Sequence, residues 1–277
     1  MKAQPRRDLR QVAEGWHWRG QRPRTWAPQA EAAPGASSDL SWARTEPVRS
    51  IRRGIQQGLS LPFTRLMANP EVIGREWLLH LDRPALIASN HVSHADIQLL
   101  LYALPDRVRD RTVVGAAADY WYQRPWRGRL VSLWLNTFPF TRTGGAQGVL
   151  HNATMLLKSG WHLVLFPEGT RSVDGALQPF QRGIGHLAQE TGAPVVPVYV
   201  GGSHRIMPKG QTLPLPAPAS VRIGRPLVMD RGEGSRAFTT RVEEAVRGLS
   251  QDPPAGAARG GWIDRWRASA PIQSKRR

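Results

Sequence analysis

Residues 84–104 read PALIASNHVSHADIQLLLYAL, which is the most informative segment of the chain for its fold. Its opening apolar run predicts a buried strand, and residues 94–104 carry apolar side chains at helical spacing. Between the two, Ser93 and Asp96 have the spacing of a capping box, which marks the start of a helix. The sequence therefore predicts a strand that turns directly into a helix, with His91 in the turn.

Outward from this stretch, short apolar runs continue to alternate with amphipathic segments. Strands are predicted at 84–89, 111–118, 137–142, 162–166, 194–200 and 220–227, and helices at 94–104, 119–135, 146–158, 181–190 and 237–249. This alternation predicts a single α/β domain in which helices flank a mixed, largely parallel central sheet. Functional residues in such sheets gather at the carboxyl ends of the strands.

His91 and Asp96 can form a general base. A hydrogen bond from one imidazole nitrogen to Asp96 would fix the tautomer and leave the other nitrogen free to accept a proton. Asp96 can cap the helix at the same time. His91, His94 and Asp96 could alternatively bind a metal, but no further ligand and no HExxH pattern accompanies them, so no metal is expected. Ser93 lacks the Gly-x-Ser-x-Gly context of a nucleophile.

A second motif, FPEGTRS at residues 166–172, follows the predicted strand 162–166 and so reaches the same edge of the sheet. Gly169 would let backbone amides approach an anion. Thr170 could add a hydroxyl donor, and Arg171 could pair with two phosphate oxygens. The motif therefore indicates an anion site beside the base.

Two other charged residues belong to this predicted edge. Arg142 ends the predicted strand 137–142 and could be a second phosphate ligand. Glu168 is expected to hold backbone or an arginine in position, or to contact the hydroxyl of an acceptor. A base beside an anion site suggests activation of a hydroxyl on a phosphorylated molecule.

Composition narrows the class of partner. The net charge is +17, from 34 arginines and 4 lysines against 21 acidic residues, which indicates attraction to nucleic acid, anionic lipid or phosphorylated substrates. The chain has no cysteine, which excludes disulfides, thiolate metal sites and a thiol nucleophile. The first residues lack the apolar core of a signal peptide, and no apolar run is long enough to span a bilayer.

The two ends of the chain differ from the middle. Residues 1–45 are predicted to be a basic, mostly disordered arm, 46–250 the α/β domain, and 251–277 a basic, flexible tail. Residues 48–67 predict a basic amphipathic helix, kinked or ended at Pro62, which could lie in a membrane interface or pack on the domain.

The blocks at 90–96 (NHVSHAD) and 166–171 (FPEGTR) resemble those of the glycerolipid acyltransferase family, whose 1-acylglycerol-3-phosphate acyltransferases carry NHxxxxD and FPEGTR blocks. Two weaker blocks, FPFTR at 138–142 and VVPV at 195–198, also resemble the family. Asn136 stands where the family often has glycine, which concerns acceptor specificity more than catalysis.

The resemblance implies transfer of a fatty acyl group from acyl-CoA or acyl-carrier protein to a hydroxyl of a lysophospholipid, without a metal, a cofactor or a covalent enzyme intermediate. It implies that His91 deprotonates the hydroxyl and that Asp96 supports the imidazolium. The headgroup and phosphate ligands would be Arg142, Glu168, Gly169, Thr170 and Arg171, with Pro197 shaping the floor of the site.

The expected partners are the acyl donor, the lysophospholipid and an anionic membrane surface, at the cytoplasmic face of the membrane, with no specific nucleic acid. Three other interpretations stay open at this point. They are acylation of another lipid or polar acceptor, hydrolysis of the thioester or lipid by the same base, and non-catalytic binding to membranes or nucleic acid.

Overall fold

The computed structural model describes residues 40–117, 121–122, 124–140, 146–172, 175–207 and 213–251. The strands in this part form one sheet in the order β1-β7-β6-β2-β5-β3-β4. They are β1 Glu71–Ile73, β2 Leu86–Ser89, β3 Thr112–Ala117, β4 Thr137–Phe140, β5 His162–Leu165, β6 Val195–Gly201 and β7 Ser220–Ile223.

Helices connect and cover these strands. They are α1 Glu46–Ile55, α2 Leu61–Ala68, α3 Glu76–Leu79, α4 Ala95–Ala103, α5 Asp106–Asp110, α6 Pro125–Leu135, α7 Ala146–Lys158, α8 Gly183–Thr191, α9 Ser203–Ile206 and α10 Ser235–Gln251. A 3₁₀ turn, Ser41–Arg44, precedes α1, and a π-helical turn, Gln56–Ser60, joins α1 to α2.

Neighbouring strands run parallel except β6 and β7, which are antiparallel. The predicted fold class, an α/β domain with a mixed, largely parallel sheet, is confirmed. β2 lies in the middle, where Ala88 pairs with Leu165 of β5 on one side and with Pro197 of β6 on the other. Its four residues are all buried, as expected of a parallel strand covered on both faces.

The apolar core lies on both faces of the sheet. Ile87 of β2 points into the cluster that contains α4, and its neighbours Leu86 and Ala88 point into the cluster that contains α8 and α10. On the second face α8 and α10 pack closely at Gly185. A Cβ at this position would lie 2.1 Å from the carbonyl oxygen of Ser235, so the contact depends on glycine.

The helix predicted at 48–67 covers residues 46–68 and is interrupted by the π turn, not by a kink at Pro62. Pro62 lies in the first turn of α2, where its missing N–H costs no helical hydrogen bond. Residues 46–68 are called the long N-terminal helix below.

One arginine of this helix, Arg52, does not face outward as its position in the amphipathic pattern predicts. It is buried and donates to the carbonyl oxygens of Ala43, Ser132 and Leu133 at 2.6, 3.0 and 2.8 Å. Gln56 donates to the next carbonyl, that of Trp134, at 2.9 Å. Ser132, Leu133 and Trp134 lie in the last turn of α6, where, among the described residues, only the carbonyl of Ser132 also accepts a backbone N–H, that of Asn136 at 3.0 Å, so the two side chains cap α6. Burial lowers the pKa of Arg52 to about 10.

The folded domain begins before residue 46. Leu40 and Ala43 are buried, and the carbonyl of Ala43 is one of the acceptors of Arg52. The last part of the predicted arm therefore belongs to the domain, whereas 1–39 and the predicted tail from 252 onward lie outside the described residues. The elements β1, α3, α5 and α9 were not predicted, because three to five residues are too few to show a periodicity.

Candidate active site

Asn90 fixes the point at which the chain leaves β2. Its side-chain amide donates to the carbonyl oxygen of Val200 at 3.0 Å, and its side-chain oxygen accepts from the N–H of Val200 at 2.7 Å. Asn90 is buried, so this pair of bonds extends the contact between β2 and β6 by one residue. From the sequence Asn90 could be recognised as part of the motif, but its contact with β6 could not be predicted, because its hydrogen-bond partner Val200 lies 110 residues away.

His91 and Asp96 meet as predicted. The distance between His91 Nδ1 and Asp96 Oδ2 is 2.9 Å, and Asp96 is fully buried. Because the carboxylate can only accept, Nδ1 carries the proton in this contact and Nε2 is left to accept one. The imidazole stacks on the ring of Phe166 with centroids 4.0 Å apart, so the two motifs are in direct contact.

Asp96 also organises the turn that carries His91. The same Oδ2 atom accepts from the N–H groups of Val92 and Ser93, both at 2.8 Å. Ser93 Oγ accepts from the N–H of Ala95 at 3.1 Å and donates to the carbonyl of Met207 at 2.9 Å. The capping interaction and the contact with the imidazole thus use one carboxylate, as the sequence allows.

Glu168 holds backbone, which was one of the roles expected of it. Oε1 accepts from the N–H of His91 at 2.7 Å, and Oε2 accepts from the N–H of Gln178 at 3.0 Å. The N–H of Ser172 donates to the carbonyl of His91 at 2.8 Å, so both backbone polar groups of His91 are held by the second motif. The carboxyl is buried, and burial raises its pKa from 4.5 to about 7.

The other residues of the second motif are distributed around this contact. Gly169 has a φ of +74°, a backbone conformation that favours glycine, and a Cβ there would lie 2.2 Å from Nε2 of Gln181, so that exposed side chain would have to move. Thr170 is exposed, and Arg171 is half-buried. Arg142 lies outside the described residues.

Pro197 does not lie with the residues of the two motifs. It is buried in β6, one residue before the end of the segment that pairs with β2, and its ring faces the backbone of Gly224. It supports the sheet beneath β2 and does not line the cavity beside the first motif.

A cavity of about 720 Å³ lies beside the His91 turn. His94 and Arg171, whose charge acts on His94, both line it, and each is close in sequence to atoms that contact His91; their side of the cavity is called its polar end below. The remaining walls are mostly apolar and include Leu59, Phe63, Met67, Ile97, Leu99, Trp121, Trp134, Leu135, Ile206 and Met207. Of the tryptophans between β3 and β4, Trp121 and Trp134 line it and Trp126 does not.

His94 packs edge-on against Trp121 with ring centroids 5.6 Å apart. Burial, and next the charge of Arg171, lower the pKa of His94 to about 4. It therefore adds a neutral polar group to the cavity at neutral pH. Within the described residues, no three His, Asp or Glu side chains converge in a way that could hold a metal ion.

Comparison with known proteins places this site in a family context. Residues 69–201 match the family model described as acyltransferase. A 1-acyl-sn-glycerol-3-phosphate acyltransferase of Cocos nucifera is 31% identical over 152 residues, covering 54% of this chain and 47% of that protein. A chloroplastic enzyme of the same name from Arabidopsis thaliana is 36% identical over 151 residues, covering 54% of this chain and 39% of that protein.

A solved structure agrees with these relatives. The 1-acyl-sn-glycerophosphate acyltransferase PlsC of Thermotoga maritima superposes with a TM-score of 0.58 at 25% identity, covering 77% of this chain and 87% of that one. The similarity to the glycerolipid acyltransferase family that the sequence motifs indicate is thus confirmed. The chain spans about half the length of the curated relatives it matches.

Proposed function

We propose that this protein is an O-acyltransferase that moves a fatty acyl group from acyl-CoA or acyl-carrier protein to a hydroxyl of a lysophospholipid such as 1-acyl-sn-glycerol-3-phosphate. The observation that carries the proposal is the buried His91–Asp96 pair beside a largely apolar cavity. The names of the relatives support this acceptor class.

The chemistry follows from the contact of His91 with Asp96. Nε2 of His91 accepts the proton of the acceptor hydroxyl as its oxygen attacks the thioester carbonyl. The new C–O bond forms, the C–S bond breaks, and the imidazolium returns its proton to the departing thiolate. Asp96 stabilises the imidazolium through Nδ1, which is how an oriented base contributes about 10²- to 10⁴-fold in rate. The residues themselves supply each proton transfer, so the scheme needs no metal or cofactor.

The phosphate of the acceptor would bind at the polar end of the cavity. Arg171 lines the cavity there, and its guanidinium can donate two hydrogen bonds to phosphate oxygens. Thr170 is exposed beside it and can add a hydroxyl donor. Arg142 remains a proposed second ligand from the segment after β4.

The acyl chain would occupy the apolar part of the cavity. Its volume of about 720 Å³ falls within the range of about 300–1,000 Å³ that small-molecule sites occupy. Walls built from Leu59, Phe63 and Leu135 favour a hydrocarbon over a polar substrate. The length of the cavity along the long N-terminal helix would then limit the length of the chain transferred.

We place the reaction at the cytoplasmic face of a membrane, where the lysophospholipid and the product reside. In the described part of the chain, no helix is both long and apolar enough to cross a membrane. The chain would meet the bilayer from its surface, and its charge of +17 favours anionic lipid.

The test is consumption of an acyl thioester with lysophosphatidic acid as the acceptor. His91→Ala should lower kcat by about 10²- to 10⁴-fold because the base is lost. His186→Ala is the matched control, because His186 is exposed on α8, on the other face of the sheet from α4. The melting temperatures of both variants should match that of the parent.

Three outcomes would contradict the proposal. Equal activity of His91→Ala and the parent would remove His91 as the base. Free fatty acid without acylated lipid would show hydrolysis by the same site. An intact thioester in every assay would show a non-catalytic binding protein. The assays would pair acyl-CoA and acyl-carrier protein with each member of a panel of lysolipid and polar acceptors.

A further inference from the structure

Helix α6 has an apolar stripe on its solvent side. Trp126, Leu130 and Trp134 are 56%, 56% and 40% exposed and follow each other at four-residue spacing. At about 1.5 Å per residue the stripe is about 12 Å long. The opposite side of the helix packs on the domain, where Val131 and Leu135 are buried in the core. An exposed stripe of two tryptophans and a leucine is unusual on a soluble helix, whose outer face is normally polar.

Arginines flank this stripe. At about 100° per residue, Arg127 and Arg129 fall on opposite sides of it, and Arg124 immediately precedes the helix. All three are exposed, and none pairs with a carboxylate among the described residues. The guanidinium of Arg127 lies over the ring of Trp126, 5.8 Å from its centroid. Indole at headgroup level with arginine beside it is the composition of a helix in a lipid interface.

The long N-terminal helix, the membrane element indicated by the sequence, has fewer exposed arginines beside its apolar surface than α6 has. It exposes Leu59, Phe63 and Leu66, but its clustered arginines contact protein groups. Arg52 is buried against α6, whereas Arg49 and Arg53 pair with Glu46 and Asp110. Arg65 is exposed beside Leu66, so among the described residues this helix offers one arginine without a carboxylate partner next to apolar surface, whereas α6 and the residue before it offer three.

The stripe continues into the cavity. Trp134 belongs to both, and Leu59 and Phe63 of the long N-terminal helix line the same cavity. A lipid surface seated on α6 would therefore lie against a residue that also lines the cavity. That continuity distinguishes the stripe from scattered exposed apolar residues.

We propose that the outward face of α6, formed by Trp126, Leu130 and Trp134 with Arg124, Arg127 and Arg129, docks on an anionic lipid surface. The three apolar side chains enter the boundary between headgroups and acyl chains, and the arginines pair with lipid phosphates. The inference deepens the proposed function by naming the face that meets the membrane. Its test uses no substrate, so failure of one leaves the other standing.

The experiment is co-sedimentation of the full chain with vesicles of phosphatidylcholine, alone or mixed with phosphatidylglycerol. The double variant Trp126→Ala, Leu130→Ala should lower the partition coefficient on the mixed vesicles about tenfold or more, because both side chains lose apolar burial. Trp134 is left unchanged because it lines the cavity. The matched control is Trp77→Ala, Leu79→Ala on α3, by the opposite edge of the sheet, where the two side chains are 38% and 49% exposed.

A second pair of variants tests the charge separately. Arg127→Gln, Arg129→Gln should weaken binding to the mixed vesicles by about fivefold per arginine and leave the weaker binding to neutral vesicles unchanged. Arg231→Gln, Arg236→Gln removes the same charge from exposed positions before and in α10. It should have little effect if docking is through α6.

The proposal would be overturned if a control variant lost as much vesicle binding as the α6 variant it is matched to. Non-specific apolar adsorption or net charge would then explain the binding. Unchanged partitioning of the two α6 variants would overturn it directly. A change from dimer to monomer in the apolar α6 variant, with vesicle binding unchanged, would show instead that the stripe joins two copies of this chain. All of the substituted side chains are exposed, and near-ultraviolet circular dichroism verifies that each variant is folded.

Discussion

Two turns at the carboxyl edge of the sheet, residues 90–96 and 166–172, look equally functional in the sequence and have different roles in the structure. In the first, the side chains of His91 and Asp96 form the candidate base. In the second, the carboxylate of Glu168 turns inward and holds the backbone of the first. The comparison teaches that a conspicuous acidic residue beside a base can serve to position that base without touching the substrate.

The difference follows from the hydrogen bonds available to each carboxylate. Asp96 receives two backbone N–H groups from its own turn and still faces the imidazole through the same oxygen. Glu168 has one N–H group from each of two segments, at His91 and at Gln178, and these occupy both of its oxygens. Each oxygen of Glu168 thus accepts a backbone hydrogen bond, and its support of His91 requires no contact with the acceptor.

The largest effect that tests this comparison is expected for Asp96→Asn. The amide keeps an oxygen for the backbone N–H groups but removes the charge that stabilises the imidazolium. We expect kcat to fall by about 10²- to 10⁴-fold. We also expect the free energy of unfolding to fall by about 1–3 kcal/mol, because charge-assisted bonds are replaced by neutral ones. Steady-state kinetics and urea denaturation measure the two effects separately.

A variant with normal kcat and reduced stability would show that Asp96 only caps α4. The matched control is Asp82→Asn, in the loop before β2, at an exposed position. It should change neither quantity, and a comparable loss of activity there would mean that the assay reports general charge effects.

The next largest effect is expected for Glu168→Gln. Glutamine has only one acceptor oxygen, so either His91 or Gln178 loses the acceptor for its backbone N–H. We expect kcat to fall by about 10- to 100-fold, as when a catalytic group is misplaced, and the KM for the lysophospholipid to stay near that of the parent. A raised KM with unchanged kcat and unchanged stability would identify Glu168 as a direct ligand of the acceptor. Glu244→Gln, at an exposed position on α10, is the control.

The smallest effect is a pH dependence of stability. Burial raises the pKa of Glu168 from 4.5 to about 7 in the folded protein, so the folded state holds this proton more tightly than the unfolded state does. The resulting stabilisation is fully present below the ordinary value of 4.5 and is lost as the pH rises to about 7. The stability of the parent relative to Glu168→Gln should therefore decrease across this window and stay constant above it.

Chemical denaturation of both proteins at several pH values within and above the window measures this difference. A constant difference across the whole range would show that Glu168 titrates alike in the folded and unfolded protein. The carboxyl would then be hydrated, and its contact with His91 would be weaker than the distance of 2.7 Å implies.

Much of the fold followed from local patterns in the sequence. The predicted central strands and the helix 146–158 agree with the structure within a few residues, because buried parallel strands are continuous apolar runs and long helices show their period. β7 is shorter than predicted and ends at Ile223, and Leu227 forms only an isolated bridge with Val195. Local hydrophobicity could not distinguish a strand residue from an extended residue after it.

The site was predictable to the extent that its groups lie close in sequence. His91 and Asp96 are five residues apart, and the spacing alone suggested their contact. The partners of Asn90 and Arg52 lie 110 and about 80 residues away, so no local pattern could indicate them. The contact of Phe166 with His91 could have been predicted from one feature of the sequence. Phe166 directly follows the strand beside β2, so its ring faces the residues that follow β2.

The sequence by itself determined the α/β class, the edge at which the two motifs meet and the identity of the candidate base, because strand and helix periods and short-range hydrogen bonds are local properties. Tertiary structure decided what each charged side chain does. Arg52 became a buried cap on α6, Glu168 a support for His91, and the face of α6 an exposed apolar stripe. These roles depend on which groups remain unsatisfied when distant segments pack together, and only the packed molecule specifies that.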